Sequence, residues 1–195
     1  YVLYLDFDVV ARRHIDFFEL NDVEKHICCQ WMDVSKETQL DANNYNRGFR
    51  APITKYWNSH ALLSEFNKEE DLPPFAFNTG IVGASKVIMD QLEYFDDIED
   101  TIDLMTELKE EEFSMYPSQI KAQFGYDNES IFGYKVIKND VVYENLKPRW
   151  HYRVDGDNPL VMSELEYWDP ILIHVIDKRF DKIFTPEVMH EFQAQ

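Results

Sequence analysis

The chain opens on an unbroken apolar run, YVLYL over residues 1–5, that stops at two carboxylates, Asp6 and Asp8, with one aromatic between them. Such a run has neither the alternation of a half-exposed strand nor the spacing of an amphipathic helix. It reads as a strand covered on both faces, the kind found in parallel sheets of α/β domains. Three later runs repeat the pattern: HICCQW (26–31), FAFNTGIVGAS (75–85) and ILIHVI (171–176). Helical spacing separates them. Trp57, Ala61, Leu62 and Phe66 share one side of a helix over 56–68, which Pro73 and Pro74 stop. Residues 86–112 predict helix broken near DDIEDTID (96–103), whose acids form a solvated face. Asp127 or Asn128 can cap a helix through Lys138. Short strands are expected over Val141–Glu144 and Trp150–Val154, and a short helix from Pro186. The alternation predicts one α/β domain across residues 1–195, with a largely parallel or mixed central sheet flanked by helices.

Residues 33–55 break this rhythm. They carry Asn43, Asn44, Asn46, Gly48 and Pro52, and predict a long surface loop, a candidate lid over a ligand. Charge narrows the partners. Nineteen Lys+Arg against 37 Asp+Glu leave a net charge of −18, which repels nucleic acid and anionic lipid. A phosphate-bearing substrate would need a metal ion or a local basic patch. No apolar stretch approaches 18 residues, so no membrane span is expected. Cys28 and Cys29 are the only cysteines and are adjacent, which predicts buried thiols rather than a disulfide. A cytoplasmic location is the matching expectation.

Chemistry concentrates at the strand ends. Ligands of open α/β sheets bind beyond the carboxyl ends of strands, where Asp6 and Asp8 fall. In an extended segment residues two apart point the same way, so both carboxylates can face one Mg²⁺ or Mn²⁺. A plain surface turn is the alternative. Asn78, Thr79 and Gly80 offer close backbone approach and amide hydrogen bonding to a hydroxylated ligand, or else mark a β-bulge. Asp127 and Glu129 stand at a helix start, as ligand-binding carboxylates or as caps. His174 lies inside an apolar strand, as a core residue or as a third metal ligand.

The order of these segments resembles the DxD glycosyltransferases of the GT-A fold, nearest their retaining branch that includes glycogenin and bacterial galactosyltransferases. LYLDFDVV is similar to that branch's metal-binding strand LYLDaDvvv, and FAFNTGIVGAS to its FNsGvmLin segment. DNESIFGYKV stands in the place of DQDxLN, LKPRWHYRVDG in that of LPxrWN, and LIHVIDKRF in that of the terminal IHFxGxxKPW. The resemblance implies a GT-A core in which Asp6, Asp8 and His174 bind Mn²⁺ or Mg²⁺. It implies that Asn78, Thr79, Gly80 and Asn128 lie near the donor sugar or acceptor, with Lys178 near the diphosphate. Asp127 and Glu129 would hold sugar hydroxyls or lie close to the oxocarbenium-like centre. The implied partners are a nucleotide-sugar donor, a UDP-sugar above all, and a carbohydrate or glycoprotein acceptor. Trp57, Trp150 and Trp168 are candidates for stacking on acceptor rings or for the core. The family's nucleotide-binding half precedes its DxD strand, so the expectation is that this numbering begins mid-protein.

Two rival readings use the same residues. A haloacid-dehalogenase-like phosphatase would use Asp6 as nucleophile and Asp8 as acid/base. It needs a later apolar strand ending in paired acids, whereas Asp96-Asp97 follow only LEYF within a helical pattern. A non-catalytic, GT-A-like sugar-binding domain is the other.

Overall fold

Strand β4, Phe75–Ala84, is buried along all ten of its residues, and the rest of the molecule is arranged around it. The computed structural model describes residues 1–13, 16–35, 50–110, 128–154, 160–176, 178, 180 and 185–193. Among these, the elements in chain order are β1 (Val2–Leu5), β2 (Val9–Ala11), α1 (Phe17–Leu20), β3 (Ile27–Asp33), α2 (Arg50–Ser64), β4 and α3 (Lys86–Leu92). There follow α4 (Ile98–Glu110), α5 (Asn128–Lys138), β5 (Tyr143–Asn145), β6 (Tyr152–Val154), α6 (Met162–Trp168), β7 (Leu172–Val175) and α7 (Pro186–Gln193). One sheet has the order β1-β4-β3-β5, with β4 antiparallel to both neighbours and β5 parallel to β3. A second has the order β2-β7-β6, β2 antiparallel and β6 parallel to β7. This is the mixed α/β arrangement the alternation predicts.

The core between β4 and the helices is aromatic. Phe77 meets Phe132 and Tyr143 edge-on at 5.4 and 5.3 Å, while Trp31 stacks on Phe75 at 4.4 Å. Helix α5 packs between β4 and α2 and is buried from Ser130 to Ile137, as an interior helix must be. Its close approach depends on Gly133, where a Cβ would come within 3.0 Å of Ser59 Oγ and 3.2 Å of Phe77 Cδ2. A second cluster packs Phe17 edge-on against Trp150 at 5.1 Å, over Ile171 and Leu172. A third lies beneath the smaller sheet, around Leu160, Ile173 and Val188.

Several local expectations are corrected. β1 is not a doubly covered strand of a parallel sheet: it is an edge strand, with Val2, Tyr4 and Leu5 exposed. An apolar run specifies a strand but not whether both faces are covered. The helix expected over 56–68 begins at Arg50 and ends at Ser64, so residues 50–55, read as loop, are helical. Residues 36–49 of that loop lie outside the described residues. The strands near Val141 and Trp150 are shorter, at Tyr143–Asn145 and Tyr152–Val154. Helix α6 was not anticipated. Both cysteines are free and buried, as expected, and burial pushes the Cys28 thiol up to about 12.

Charged groups pin the helix junctions. The break between α3 and α4 turns through Glu93 and Asp97, both with positive φ. Lys135, on buried α5, donates to the Asp96 carbonyl at 2.6 Å and to the Asp97 carboxylate. Asp96, Asp97, Glu99, Asp100 and Asp103 are exposed, as predicted. Elsewhere Arg12, Arg13 and Arg149 converge on the carboxylate of Asp169.

Candidate metal centre

Asp6, Phe7 and Asp8 form the link by which the chain leaves one sheet and enters the other. Leu5 pairs with Ile81 at the end of β1, and Val9 pairs with His174 at the start of β2. The link is a turn closed by Val9 N–H to Asp6 O at 3.1 Å, rather than the extended segment that the two-residue spacing suggested. Backbone bonds hold both its ends. Asp6 N–H donates to Gly80 O at 2.9 Å, and Val175 N–H donates to Asp8 O at 2.9 Å.

The turn brings one oxygen of Asp6, one of Asp8 and a ring nitrogen of His174 within 4.8 Å of one another. Asp8 and His174 are buried and Asp6 is half-buried. Asp8 Oδ1 is sealed from solvent without a hydrogen bond, and faces His174 Nε2 across 3.3 Å. A buried carboxylate oxygen left this way is costly, and a cation held jointly with the imidazole would satisfy both groups. Two carboxylates and one imidazole form a mixed O/O/N donor set suited to Mn²⁺, and acceptable to Mg²⁺ with further oxygen ligands. On these two observations the residues fit a divalent cation.

Local electrostatics agree with that use. Burial pulls the His174 pKa down despite the neighbouring Asp8 and Asp6 carboxylates, so its imidazole is neutral near pH 7 and able to ligate. Tyr4 Oη donates to Asp6 Oδ1 at 2.5 Å, and that bond, with burial, raises the phenol to about 12. Lys178 takes a left-handed backbone, with its N–H bonded to Val175 O at 3.1 Å. Its ammonium lies 4.3 Å from the centre of the Phe7 ring. The cation assigned to the diphosphate by resemblance therefore sits against the Asp6–Asp8 turn.

The Asn78-Thr79-Gly80 segment is a bulge and also part of the site. Cys29 of β3 pairs with Val82, but Gln30 pairs with Asn78, so Thr79, Gly80 and Ile81 have no partner on β3. Asn78 Oδ1 accepts from Gly80 N–H at 3.0 Å and caps the bulge. Gly80 has a reason its sequence context did not reveal. A Cβ there would fall 2.3 Å from Cε1 and 2.4 Å from Nδ1 of His174, so the imidazole lies directly on the Gly80 backbone. Thr79 N–H donates to Glu129 Oε1 at 2.9 Å, and Asn128 Nδ2 donates to Thr79 Oγ1 at 3.4 Å. Glu129 is thus brought to the bulge, where its other oxygen pairs with Lys55. Asp127 lies outside the described residues.

Three contributors escaped the sequence reading. Lys55 falls in the segment read as loop, yet it sits on α2, pairs with Glu129, and its charge helps lower the His174 pKa. His151 is fully buried, with its Nε2 3.0 Å from His174 Nδ1. Gln30 Nε2 donates to the His151 carbonyl at 3.1 Å. Only the pairing of distant strands reveals these last two. Of the tryptophans weighed as sugar platforms, Trp150 is core, Trp57 packs against the core while half-buried, and Trp168 is exposed beside Tyr167.

Asp96 and Asp97 stand between two helices rather than at a strand end, and Asp97 is engaged by Lys135 and Lys138. The strand-end acid pair needed by the phosphatase reading is not supplied there. No helix among the described residues is long and apolar enough to cross a membrane. Comparison with protein-family models, curated proteins and solved structures found no match to the chain.

Proposed function

We infer that the chain is the metal-binding portion of a GT-A-type glycosyltransferase that moves a sugar from a nucleotide-sugar donor to a carbohydrate or glycoprotein acceptor. The observation that carries this reading is the clustering of Asp6, Asp8 and His174, contributed by a turn and by a strand 166 residues later in the chain. In this reading Asp6, Asp8 and His174 hold Mn²⁺ or Mg²⁺. When bound, the ion supplies positive charge for the leaving nucleoside diphosphate. Lys178 adds a cation at the same turn, offsetting the repulsion a chain of net charge −18 presents to a diphosphate. Glu129 is oriented by Lys55 and the Thr79 N–H, and its carboxylate would accept hydrogen bonds from sugar hydroxyls. In the bulge Thr79 bonds that carboxylate while Gly80 lies against the His174 ring, which supports a donor sugar bound alongside.

The test is turnover of a nucleotide-sugar panel with Mn²⁺, followed by ³¹P NMR, in wild type and Asp8→Asn. Release of a nucleoside diphosphate from one donor, abolished by EDTA and reduced at least about 100-fold in Asp8→Asn, is the expected result. Hydrolysis of a generic phosphomonoester without donor turnover would overturn it in favour of a phosphatase. Mn²⁺ binding with sugar binding but no turnover would leave a non-catalytic sugar-binding domain.

A further inference from the structure

His174 does not stand alone in its strand. Its Nε2 faces Asp8 Oδ1 across 3.3 Å, and its Nδ1 faces His151 Nε2 across 3.0 Å. The two rings are tilted by 39°, and both are buried. His151 lies just before β6, which runs parallel to β7, so sheet pairing fixes the spacing of the two histidines. Its main chain is held independently by Gln30 Nε2, at the point where β3 steps across the β4 bulge. A polar chain therefore runs through the interior in the order Gln30, His151, His174, Asp8.

We propose that His151 is a positioning residue for the metal site: it accepts the Nδ1 proton of His174 and so fixes the tautomer in which Nε2 presents its lone pair to the cation. This rests on the metal-centre reading above. The argument is one of proton inventory. A neutral imidazole carries one N–H, and only the bare nitrogen can ligate. With Nε2 directed at Asp8 and the cation, the proton must reside on Nδ1, and the partner facing Nδ1 is His151 Nε2. His151 must then carry its own proton on Nδ1, a buried atom with no hydrogen bond. Ligating histidines ordinarily give this second N–H to a carboxylate, a carbonyl or water. Here the acceptor is a neutral ring, which orients the ligand without adding a third negative charge beside Asp6 and Asp8. The Gly80 backbone blocks one face of the His174 ring, so His151 and Gly80 together restrict both its tilt and its rotation.

The experiment is Mn²⁺ titration of the protein, with free Mn²⁺ read by EPR, in wild type, His151→Phe and His151→Gln. Phe keeps a ring but no acceptor, whereas the Gln amide oxygen can occupy the place of Nε2. His151→Phe is expected to weaken Mn²⁺ binding about 10- to 100-fold. His151→Gln is expected to remain within about threefold of wild type, the two variants differing as the lost hydrogen bond requires. In parallel, ¹⁵N-histidine NMR of the Mg²⁺-loaded wild type should show His174 protonated at Nδ1. A scalar coupling across the hydrogen bond between His174 Nδ1 and His151 Nε2 in the same spectra decides the matter if His151→Phe fails to fold, and its absence would overturn the proposal.

Unchanged Mn²⁺ affinity in His151→Phe, equal losses in both variants, or an Nε2-protonated His174 would each overturn the proposal. Absence of Mn²⁺ binding by wild type would remove the metal centre and this proposal with it. Binding without donor turnover would remove only the transferase reading and leave the role of His151 standing.

Discussion

The two halves of β4 are equally buried and do opposite things. From Phe75 to Phe77 the strand pairs regularly with β3, and its side chains disappear into an aromatic cluster with Trp31, Phe132 and Tyr143. From Asn78 to Gly80 the same strand bulges, and its polar groups are spent on Gly80, Glu129 and Asn128. Burial therefore does not distinguish scaffold from site. What distinguishes them is the kind of group they bury. In the first half it is aromatic rings. Beside the second, Asp8 Oδ1 and His151 Nδ1, on the two residues that flank His174, are sealed without hydrogen bonds.

The sharpest way to break the comparison is to damage each half separately. Phe77→Ala removes a ring that touches three others, and should cost about 3–5 kcal/mol of stability in urea unfolding. Mn²⁺ affinity of the folded fraction should stay near wild type. Gly80→Ala should do the reverse. The added methyl meets the His174 ring at 2.3 Å, so the ring must leave its place. Mn²⁺ affinity is expected to fall about 100-fold, near 2.7 kcal/mol, as for loss of a ligand's support. If Gly80→Ala binds Mn²⁺ as wild type does, His174 is not held there as described.

The next effect is a pH dependence. Burial, with the nearby His174 and Arg153, pulls the His151 pKa from an ordinary 6.5 to about 3. Above pH 6.5 the ring is neutral in folded and unfolded chains, and it contributes no slope. Between pH 6.5 and 3 the unfolded chain takes up a proton that the folded chain refuses, so stability falls as pH falls. The slope from this group is about 1.4 kcal/mol per pH unit, or about 2 kcal/mol between pH 6.5 and 5. Urea unfolding across that window should show a shallower slope in His151→Gln. An unchanged slope would mean that His151 is protonated in the fold.

Much of the scaffold was legible in the chain, and about half of the site. FAFNTGIVGAS and ILIHVI declared β4 and β7 because buried strands need continuous apolar runs. Asp6, Asp8 and His174 stood out because carboxylates and an imidazole at the ends or within such runs are costly without a task. YVLYL misled, because an edge strand and a central strand can carry the same residues when only neighbours decide what is covered. Lys55 was hidden by a polar flank that blurred the start of α2. His151 was invisible for a different reason. Its partner is 23 residues away, and only the register of β6 on β7 brings the two rings together.

The smallest expected effect concerns the buried charge on the scaffold side. The Lys135 side chain is 1% exposed, but the Asp97 carboxylate it engages is 46% exposed and held below its usual pKa chiefly by that hydrogen bond. The two partners are therefore not equivalent. Lys135→Met keeps the buried stem, removes the ammonium that burial disfavours, and releases Asp97 to water. It should cost no more than about 1 kcal/mol. Asp97→Asn keeps a residue type that tolerates the left-handed backbone there, yet leaves the ammonium with weakened acceptors. It should cost more, about 1–2 kcal/mol, limited by the solvent exposure of the pair. Neither change should alter Mn²⁺ affinity, because neither touches the bulge. Chemical denaturation of the two variants side by side tests the order: a larger loss in Lys135→Met would show that the ammonium stabilises the α3–α4 junction in its own right, rather than being tolerated for the carboxylate it meets.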